Sequence, residues 1–453
     1  MWEQQQRTRL TLSHESIRSV RSGRSVGNLA VRPPQVVIVG APYARSGTAL
    51  VIKNQIDYYR VRGYHTVLVI VPFHRAFMRS SPIWDEIGEG IRELGAHRSF
   101  LAPLDKDRYQ LTKYIASMRH VFRGTALDWQ FAMGNSARLP EDLIQFLRCM
   151  PVALLHVNYV QTLGFALRLR KKLEGRQARM PIILETHDVQ SHLLQDRHEL
   201  NPWTHKPDVL ERTMHSEFSL LGKADVLVHL SVDDFHFFQT KMPNRPHILV
   251  LPTIDEAFIA KVNATPAPTP AEAIDLLFVG QSHGANLDAM KWFFADVWPR
   301  IAHRNYNLKV VGAVELFVRL FLPKVYEEFR SCFVGEVTDL APYYRAARSV
   351  IAPMVSGTGT SIKTIEALAL GKPFVGTSKA YRGMPMEKIE EAGLRAYDDP
   401  QAFADALAHA LAKEAEAGAL SRAAYDRIFS TRASFALRDE AFDLVMKNLP
   451  TNS

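Results

Sequence analysis

The stretch GTGTSIKTIEALALGKPFV (357–375) places an acid where an apolar helix should have none. At about 100° per residue, Glu366 lies about 40° around the helix from Ile362, between Ile365 and Leu370 and so inside the apolar stripe. An unpartnered buried carboxylate costs on the order of several kcal/mol. Glu366 therefore needs either a protein partner, such as an internal salt bridge, or a ligand reaching it through a cleft. Upstream, Gly357, Thr358, Gly359, Thr360 and Ser361 form a small-residue loop whose backbone a ligand can approach closely. The helix expected from Ile362 would offer free N–H groups and the positive end of its dipole, which is the chemistry of a phosphate site. Lys363 is close enough to add charge, or it is a surface lysine. The stretch alone leaves a tight structural loop and an anion site both open.

Elements that could position such a site recur along the chain. Short β-branched runs alternate with helical patterns: QVVIVG (35–40), HTVLVIVP (65–72), VALLHV (152–157), IILETH (182–187), DVLVHLS (225–231) and HILVLPT (247–253) in the first half. DLLFVG (275–280), LKVVGA (308–313), CFVGEV (332–337), SVIAPM (349–354), PFVGTS (373–378) and LRAYDD (394–399) follow in the second. Runs of this kind predict parallel strands buried on both faces, hence α/β architecture with two Rossmann-like, doubly wound parallel-sheet domains. The expected organisation is a flexible basic arm at 1–30 and an N-terminal domain at 31–255 carrying a largely helical insertion at 73–148. A linker at 256–274, built around ATPAPTP, leads to a C-terminal domain at 275–430 and a C-terminal helix and tail at 431–453 that could pack on either domain.

Ligands of such sheets bind outside the carboxyl ends of the strands. The candidate segments are then GAPYARSGT (40–48), NYVQT (158–162) and THDVQS (186–191) on one side. On the other they are GQSHGAN (280–286), GAVEL (312–316), GEVTD (335–339) and the 357–361 loop, so both sets point to one inter-domain cleft. None of them has the G-x-G-x-x-G spacing of a dinucleotide site, which argues against a nicotinamide or flavin enzyme.

Composition narrows the classes further. A net charge of +8 and a pI near 9.3 favour an acidic partner, whether phosphorylated substrate or anionic membrane surface. The basic residues do not cluster as a nucleic-acid reader requires, so no nucleic-acid partner is expected. LRLRKKLEGRQAR (167–179) reads more simply as a solvated helix face. Cys149 and Cys332 are the two cysteines, without metal-ligand spacing, which fits a reducing, cytoplasmic compartment and gives no metal site. No apolar run reaches the length of a bilayer span, so the expected protein is soluble or peripheral, at the inner membrane face if at all.

Four collinear blocks of the second half, FVGQSHGANLDAMKWFFADVWPRI, VVGAV, FVGEVTDLAPYYRAARSVIAPM and GTGTSIKTIEALALGKPFVGT, together closely resemble glycosyltransferase family 4 across roughly residues 275 to 385. The first half resembles it more loosely, through its first glycine loop, ETHDVQSHLLQDR and KADVLVHLSVDDFHFF. The resemblance implies a GT-B fold and a retaining, metal-independent transferase that takes a nucleotide-sugar, UDP- more than GDP-linked, as substrate and needs no cofactor. The acceptor would be a glycan, glycolipid or other hydroxyl. By position, Glu366 resembles the carboxylate that binds the ribose hydroxyls, and Gly359, Thr360, Ser361 and Ile362 resemble the diphosphate cradle. Glu336 and Val337 resemble the segment that reads the nucleobase.

In the first half, Gly47 resembles the glycine that approaches phosphate and sugar, and His187 resembles the histidine that contacts the transferred sugar. Read without the resemblance, Gly47 is a turn glycine, His187 a satisfied histidine at a strand end, Asp188 a cap for the next helix and His283 a loop residue. Two features depart from the family pattern. Thr358 stands where many members have a first glutamate, and GQSHGAN lacks the usual Arg and Lys. Lys363, the helix N-terminus or an arginine from the first half would have to substitute. The alternative is a non-catalytic GT-B protein that binds a nucleotide or a partner enzyme.

Overall fold

The computed structural model describes residues 33–41, 47–71, 94–102, 110–111, 114–115, 136–174, 180–193 and 209–447. The basic arm and most of the 73–148 segment lie outside the described residues.

QVVIVG is buried at every position and forms β1 (Gln35–Gly40). Its period-two alternation divides it between two cores. Val37 and Val39 pack with Leu163, Phe165 and Leu169 on one face. Val36 and Ile38 pack with Ile52, Ile56, Ala441 and Phe442 on the other. Each such aliphatic side chain removed from water contributes about 1.5–3 kcal/mol, which is why these runs become central strands.

The strands are β2 (His65–Ile70), β3 (Arg98–Leu101), β4 (Val152–Asn158), β5 (Ile182–Glu185), β6 (Val226–His229) and β7 (His247–Leu249). With β1 they make a seven-stranded parallel sheet in the order β3-β2-β1-β4-β5-β6-β7. A second parallel sheet holds β8 (Ile274–Val279), β9 (Leu308–Val311), β10 (Phe333–Gly335), β11 (Ala347–Ala352) and β12 (Phe374–Gly376), in the order β10-β9-β8-β11-β12. The chain order reverses beside β1 in the first sheet and beside β8 in the second. These are the switch points at which doubly wound sheets open a crevice.

Two expectations from the pattern differ from the structure. LRAYDD does not make a strand; it contributes only an isolated bridge from Ala396 to Gly376. Conversely, RSFL is a strand, β3, inside the segment expected to be largely helical. It sits at the sheet edge and is mostly exposed, so it lacks the apolar run that marks the buried strands. The described part of that segment also includes the helix Glu141–Arg148.

Six further helices matter for the site: α1 (Gly47–Val61), α2 (Val160–Leu173), α3 (Gly284–Trp292), α4 (Ile362–Ala369), α5 (Glu414–Ile428) and α6 (Thr431–Lys447). Inside the 256–274 span, Glu256–Ala264 is helical, started by the Asp255 carboxylate accepting from Ala257 N–H and stopped where the ATPAPTP run begins. Helix α6 returns to the first sheet, where Ala441, Phe442 and Val445 join the core beneath β1. Among the described residues no helix is long and apolar enough to cross a membrane.

The two sheets meet within one compact unit that includes every described residue from Pro34 onward. Thr360 Oγ1 donates to the Leu230 carbonyl at 2.8 Å, and Val232 N–H donates to the Gly383 carbonyl at 2.9 Å.

Candidate active site

Strand β11 ends at Ala352, and the chain crosses the 357–361 loop into α4. Gly357 and Gly359 have φ of +122° and +64°, a region that L side chains rarely adopt. A Cβ on Gly359 would also stand 3.0 Å from Asp188 Oδ1 of the first domain, so the two halves approach each other here. Helix α4 has no side-chain cap at its N-terminus. The N–H groups of Ile362 and Lys363 have no protein partner among the described residues, which leaves two donors and the positive end of the dipole available to an anion. Ser361 is buried and accepts from Thr364 Oγ1 at 3.0 Å; it closes the turn from within. Thr358 is exposed, and its carbonyl accepts from Arg382 Nε at 3.0 Å.

Glu366 has a protein partner. The fully buried Tyr344 hydroxyl donates to Glu366 Oε2 at 2.6 Å, and Oε1 carries no protein hydrogen bond among the described residues. Burial pushes the Glu366 carboxyl up, while the Tyr344 hydrogen bond and Lys363 oppose that rise. The partner is thus a tyrosine rather than a salt bridge, and one oxygen stays open for a second donor.

Lys363 is not a surface lysine. Its ammonium donates to Asn286 Oδ1 at 2.5 Å and lies 4.3 Å above the Phe278 ring. Burial, and then Arg382, lower its pKa to about 7, with Glu366 opposing. Asn286 belongs to GQSHGAN, so Lys363 brings a cation to the loop that lacked one. Arg382 brings a second; a Cβ on Gly357 would stand 3.3 Å from its guanidinium carbon. Arg382 belongs to the second domain; Arg45, in the first-half loop, lies outside the described residues. No motif marked Arg382, and only the shortage of charge at the loop hinted at such a residue.

Across from this loop, Gly47 opens α1. A Cβ there would lie 3.5 Å from Ile362 Cγ1, so the two helix starts face one another at van der Waals distance. The next residue, Thr48, pairs with the Tyr159 hydroxyl at 2.6 Å. The Tyr159 ring stacks on His187 at 4.0 Å between centroids and 11° between planes. Tyr159 and His187 both have positive φ, 66° and 63°, a backbone strain that persists only where surroundings over-determine it. His187 Nε2 is 2.9 Å from Asn158 Oδ1, and burial lowers the ring's pKa to about 4, so it is neutral at pH 7.

Asp188 does not cap the following turn. Glu217 does so, accepting from Gln190 and Ser191 N–H at 2.9 and 3.0 Å. Burial, then Asp234 and Glu217, raise the Asp188 carboxyl to about 7. His283 caps α3, its Nδ1 accepting from Ala285 N–H at 3.3 Å. Val337 follows the edge strand β10, which β9 and β8 separate from β11, and packs half-buried against the second core. Gly312, after β9 with φ +110°, takes a glycine because a Cβ would collide with the Gly280 carbonyl oxygen. A cavity of about 580 Å³ lies at the other end of α4, lined by Arg345, Leu370, Lys372, Glu414 and Arg422, and is not part of this site. Among the described residues no group of three or more His, Cys, Asp or Glu is placed to hold a metal ion.

Residues 273–413 match the family model described as Glycosyl transferases group 1. That match supports a glycosyltransferase. No curated protein matches the chain. Among solved structures, a glycosyltransferase from Rickettsia africae is similar at 11% identity and a TM-score of 0.58, over 92% of this chain and 100% of its own. Anabaena HepE in complex with UDP is similar at 12% identity and 0.58, over 90% and 99%. The α,α-trehalose 6-phosphate synthase of Burkholderia multivorans is similar at 12% identity and 0.56, over 93% and 100%. These likenesses establish the fold, which is GT-B.

Proposed function

We propose that this protein is a retaining glycosyltransferase that moves a sugar from a nucleoside-diphosphate donor to a hydroxyl of a glycan or glycolipid, without a metal ion. The observation that carries this reading is the start of α4. It offers unpaired N–H groups, Lys363 is in its first turn and Arg382 holds the Thr358 carbonyl of the loop before it, Glu366 is one turn further on, and Gly47 is in contact range opposite.

In this reading the diphosphate lies along Gly359–Ile362, where two N–H groups, the helix dipole and two cations offset its charge. The ribose hydroxyls donate to Glu366 Oε1 while Tyr344 holds Oε2. The backbone at Val337 meets the nucleobase, and neutral His187 contacts the transferred sugar. The acceptor hydroxyl attacks the anomeric carbon on the face from which the diphosphate departs. As the new C–O bond forms and the old one breaks, a diphosphate oxygen takes the hydroxyl's proton, so configuration is retained and no protein base is needed. UDP is preferred to GDP, and the UDP bound by the Anabaena neighbour supports that choice. The net charge of +8 supports an acidic or lipid-linked acceptor at an anionic membrane surface on the cytoplasmic side.

Calorimetric titration with UDP, GDP, ADP and NAD, repeated on Glu366→Ala, tests the donor site. Selective binding of one nucleoside diphosphate that the substitution weakens is expected; no binding, or no change on substitution, would overturn the assignment. Product analysis showing an inverted anomeric centre would overturn retention. Thr358, where an acidic residue would meet the donor sugar, favours a second reading: a GT-B protein that binds a nucleotide without turnover. Donor hydrolysis or transfer by the purified protein excludes it.

A further inference from the structure

Behind His187 lies a polar chain of side chains from α1, β4, β5 and α6. Glu185, at the end of β5, is fully buried, as are Gln55 and Asn158; His156 is 2% and Arg438 5% exposed. Arg438 reaches in from α6, its Nη1 and Nη2 at 3.0 and 3.2 Å from Glu185 Oε2 and Oε1. Burial alone would push the Glu185 carboxyl up, but Arg438 and His156 hold it well below the usual carboxylate range, so it is an ionised acceptor. A buried ion pair is weak evidence for stability, because desolvating both charges offsets most of their attraction. What it does here is orient its neighbours.

The orientation passes along in definite steps. An ionised carboxylate only accepts, so Gln55 must turn its amide nitrogen toward Glu185 Oε2, at 2.5 Å. That places Gln55 Oε1 2.9 Å from Asn158 Nδ2, and the same Asn158 nitrogen reaches the Val39 carbonyl at 3.4 Å. Asn158 Oδ1 then accepts from Gln55 Nε2 at 2.8 Å and faces His187 Nε2 at 2.9 Å. An oxygen acceptor at that distance requires the hydrogen on Nε2. In the neutral ring, Nδ1 keeps its lone pair, and it has no protein partner among the described residues. A branch through His156, whose Nε2 meets Glu185 at 2.9 Å and whose Nδ1 meets the Tyr59 hydroxyl at 2.8 Å, secures the same carboxylate.

We propose that the Arg438–Glu185 pair, acting through the Gln55 and Asn158 amides, locks His187 in its Nε2–H tautomer and so fixes Nδ1 as an acceptor for a hydroxyl in the cleft. Arg438, Glu185, Gln55 and Asn158 are positioning residues. Helix α6, which follows the second domain in sequence, sets a proton on the first domain's side of the cleft. The lock itself is a property of the folded chain; that the hydroxyl belongs to a donor sugar rests on the function proposed above.

Long-range 1H–15N spectra of the full chain labelled with 15N-histidine read the tautomer directly, with His187→Gln assigning the signal. The wild type is expected to show protonated Nε2 and bare Nδ1. Gln55→Met, folded by its thermal melt, is expected to give a mixture of tautomers, because Asn158 is then free to flip. Arg438→Lys keeps the charge and is expected to keep the wild-type pattern. A wild-type Nδ1–H ring, or an unchanged His187 in folded Gln55→Met, overturns the proposal.

Titrations with UDP and UDP-glucose separate this from the functional reading. Gln55→Met is expected to leave UDP affinity unchanged and to weaken UDP-glucose by the reciprocal of the Nε2–H fraction that the spectra give, about twofold for an even mixture. If neither nucleotide binds but the spectra show the lock, the functional reading fails and the lock stands. If UDP-glucose binds and the tautomer is mixed in the wild type, the lock fails and the reading stands.

Discussion

The two walls of the cleft are built by opposite means. On the second-domain side, the site is one contiguous stretch: two glycines at positive φ, an uncapped helix start and Glu366 on the next turn. Its donors are mostly backbone, and side chains only add charge. On the first-domain side the site is a relay of side chains from α1, β4, β5 and α6, and the backbone contributes strain at Tyr159 and His187. A backbone site tolerates exchange of its side chains, whereas a relay fails at any link. That difference sets where substitutions should hurt most.

The largest effect is expected at the root of the relay. Arg438→Ala leaves the Glu185 carboxylate buried and unpaired, which should cost about 3–5 kcal/mol of stability in denaturant unfolding. A loss below about 1 kcal/mol would mean that the relay does not depend on its ion pair. Arg382→Ala should leave the melt nearly unchanged and weaken nucleoside diphosphate binding about tenfold or more, the worth of one charge-assisted contact. If UDP affinity is unaffected, the second-domain wall needs no cation from that position.

A pH series sharpens the same side. The Lys363 ammonium is held at about 7, and a bound diphosphate would raise it. Binding therefore takes up a proton near neutrality, and affinity should fall as pH rises above about 7, a slope that Lys363→Met abolishes. The smallest effect concerns the acids behind Asp188. Burial raises Asp234 to about 6, so its folded pKa exceeds its unfolded one. Stability from the retained proton is complete below about pH 4 and lost as pH rises through about 6. Asp234→Asn should raise the melting temperature at pH 8 relative to pH 5, by the equivalent of about 1 kcal/mol, since about one pH unit of the shift lies between pH 5 and the folded pKa. No pH-dependent gain would mean that Asp234 keeps enough water to ionise freely.

The same asymmetry governs how much could be read from the chain. GTGTSIKTIE exposes its chemistry as local spacing, because a helix places Ile362, Lys363 and Glu366 by arithmetic. Buried parallel strands announce themselves likewise, since both faces must be apolar, as in QVVIVG. The edge strand RSFL carried no such signal, and LRAYDD carried a false one. Tyr344 and Arg382 gave none, because they reach Glu366 and Gly357 only through folding of the second domain. His187 in THD and Asn158 in NYVQT were both visible as candidate segments, but their pairing and the arginine behind them were not; Arg438 is 253 residues from Glu185.

By itself, then, the sequence determined two doubly wound sheets, the loop and helix start of one wall, and the identity of the acid on it. These follow from hydrophobic period and from helix geometry, which act over a few residues. Tertiary structure alone decided that Tyr344 shares Glu366, that Lys363 and Arg382 stand beside the loop, that α6 returns to the first sheet, and that Asn158 Oδ1 faces His187 Nε2. Those outcomes depend on which buried polar groups meet once water is excluded, and each unpaired group is costly enough to select one arrangement.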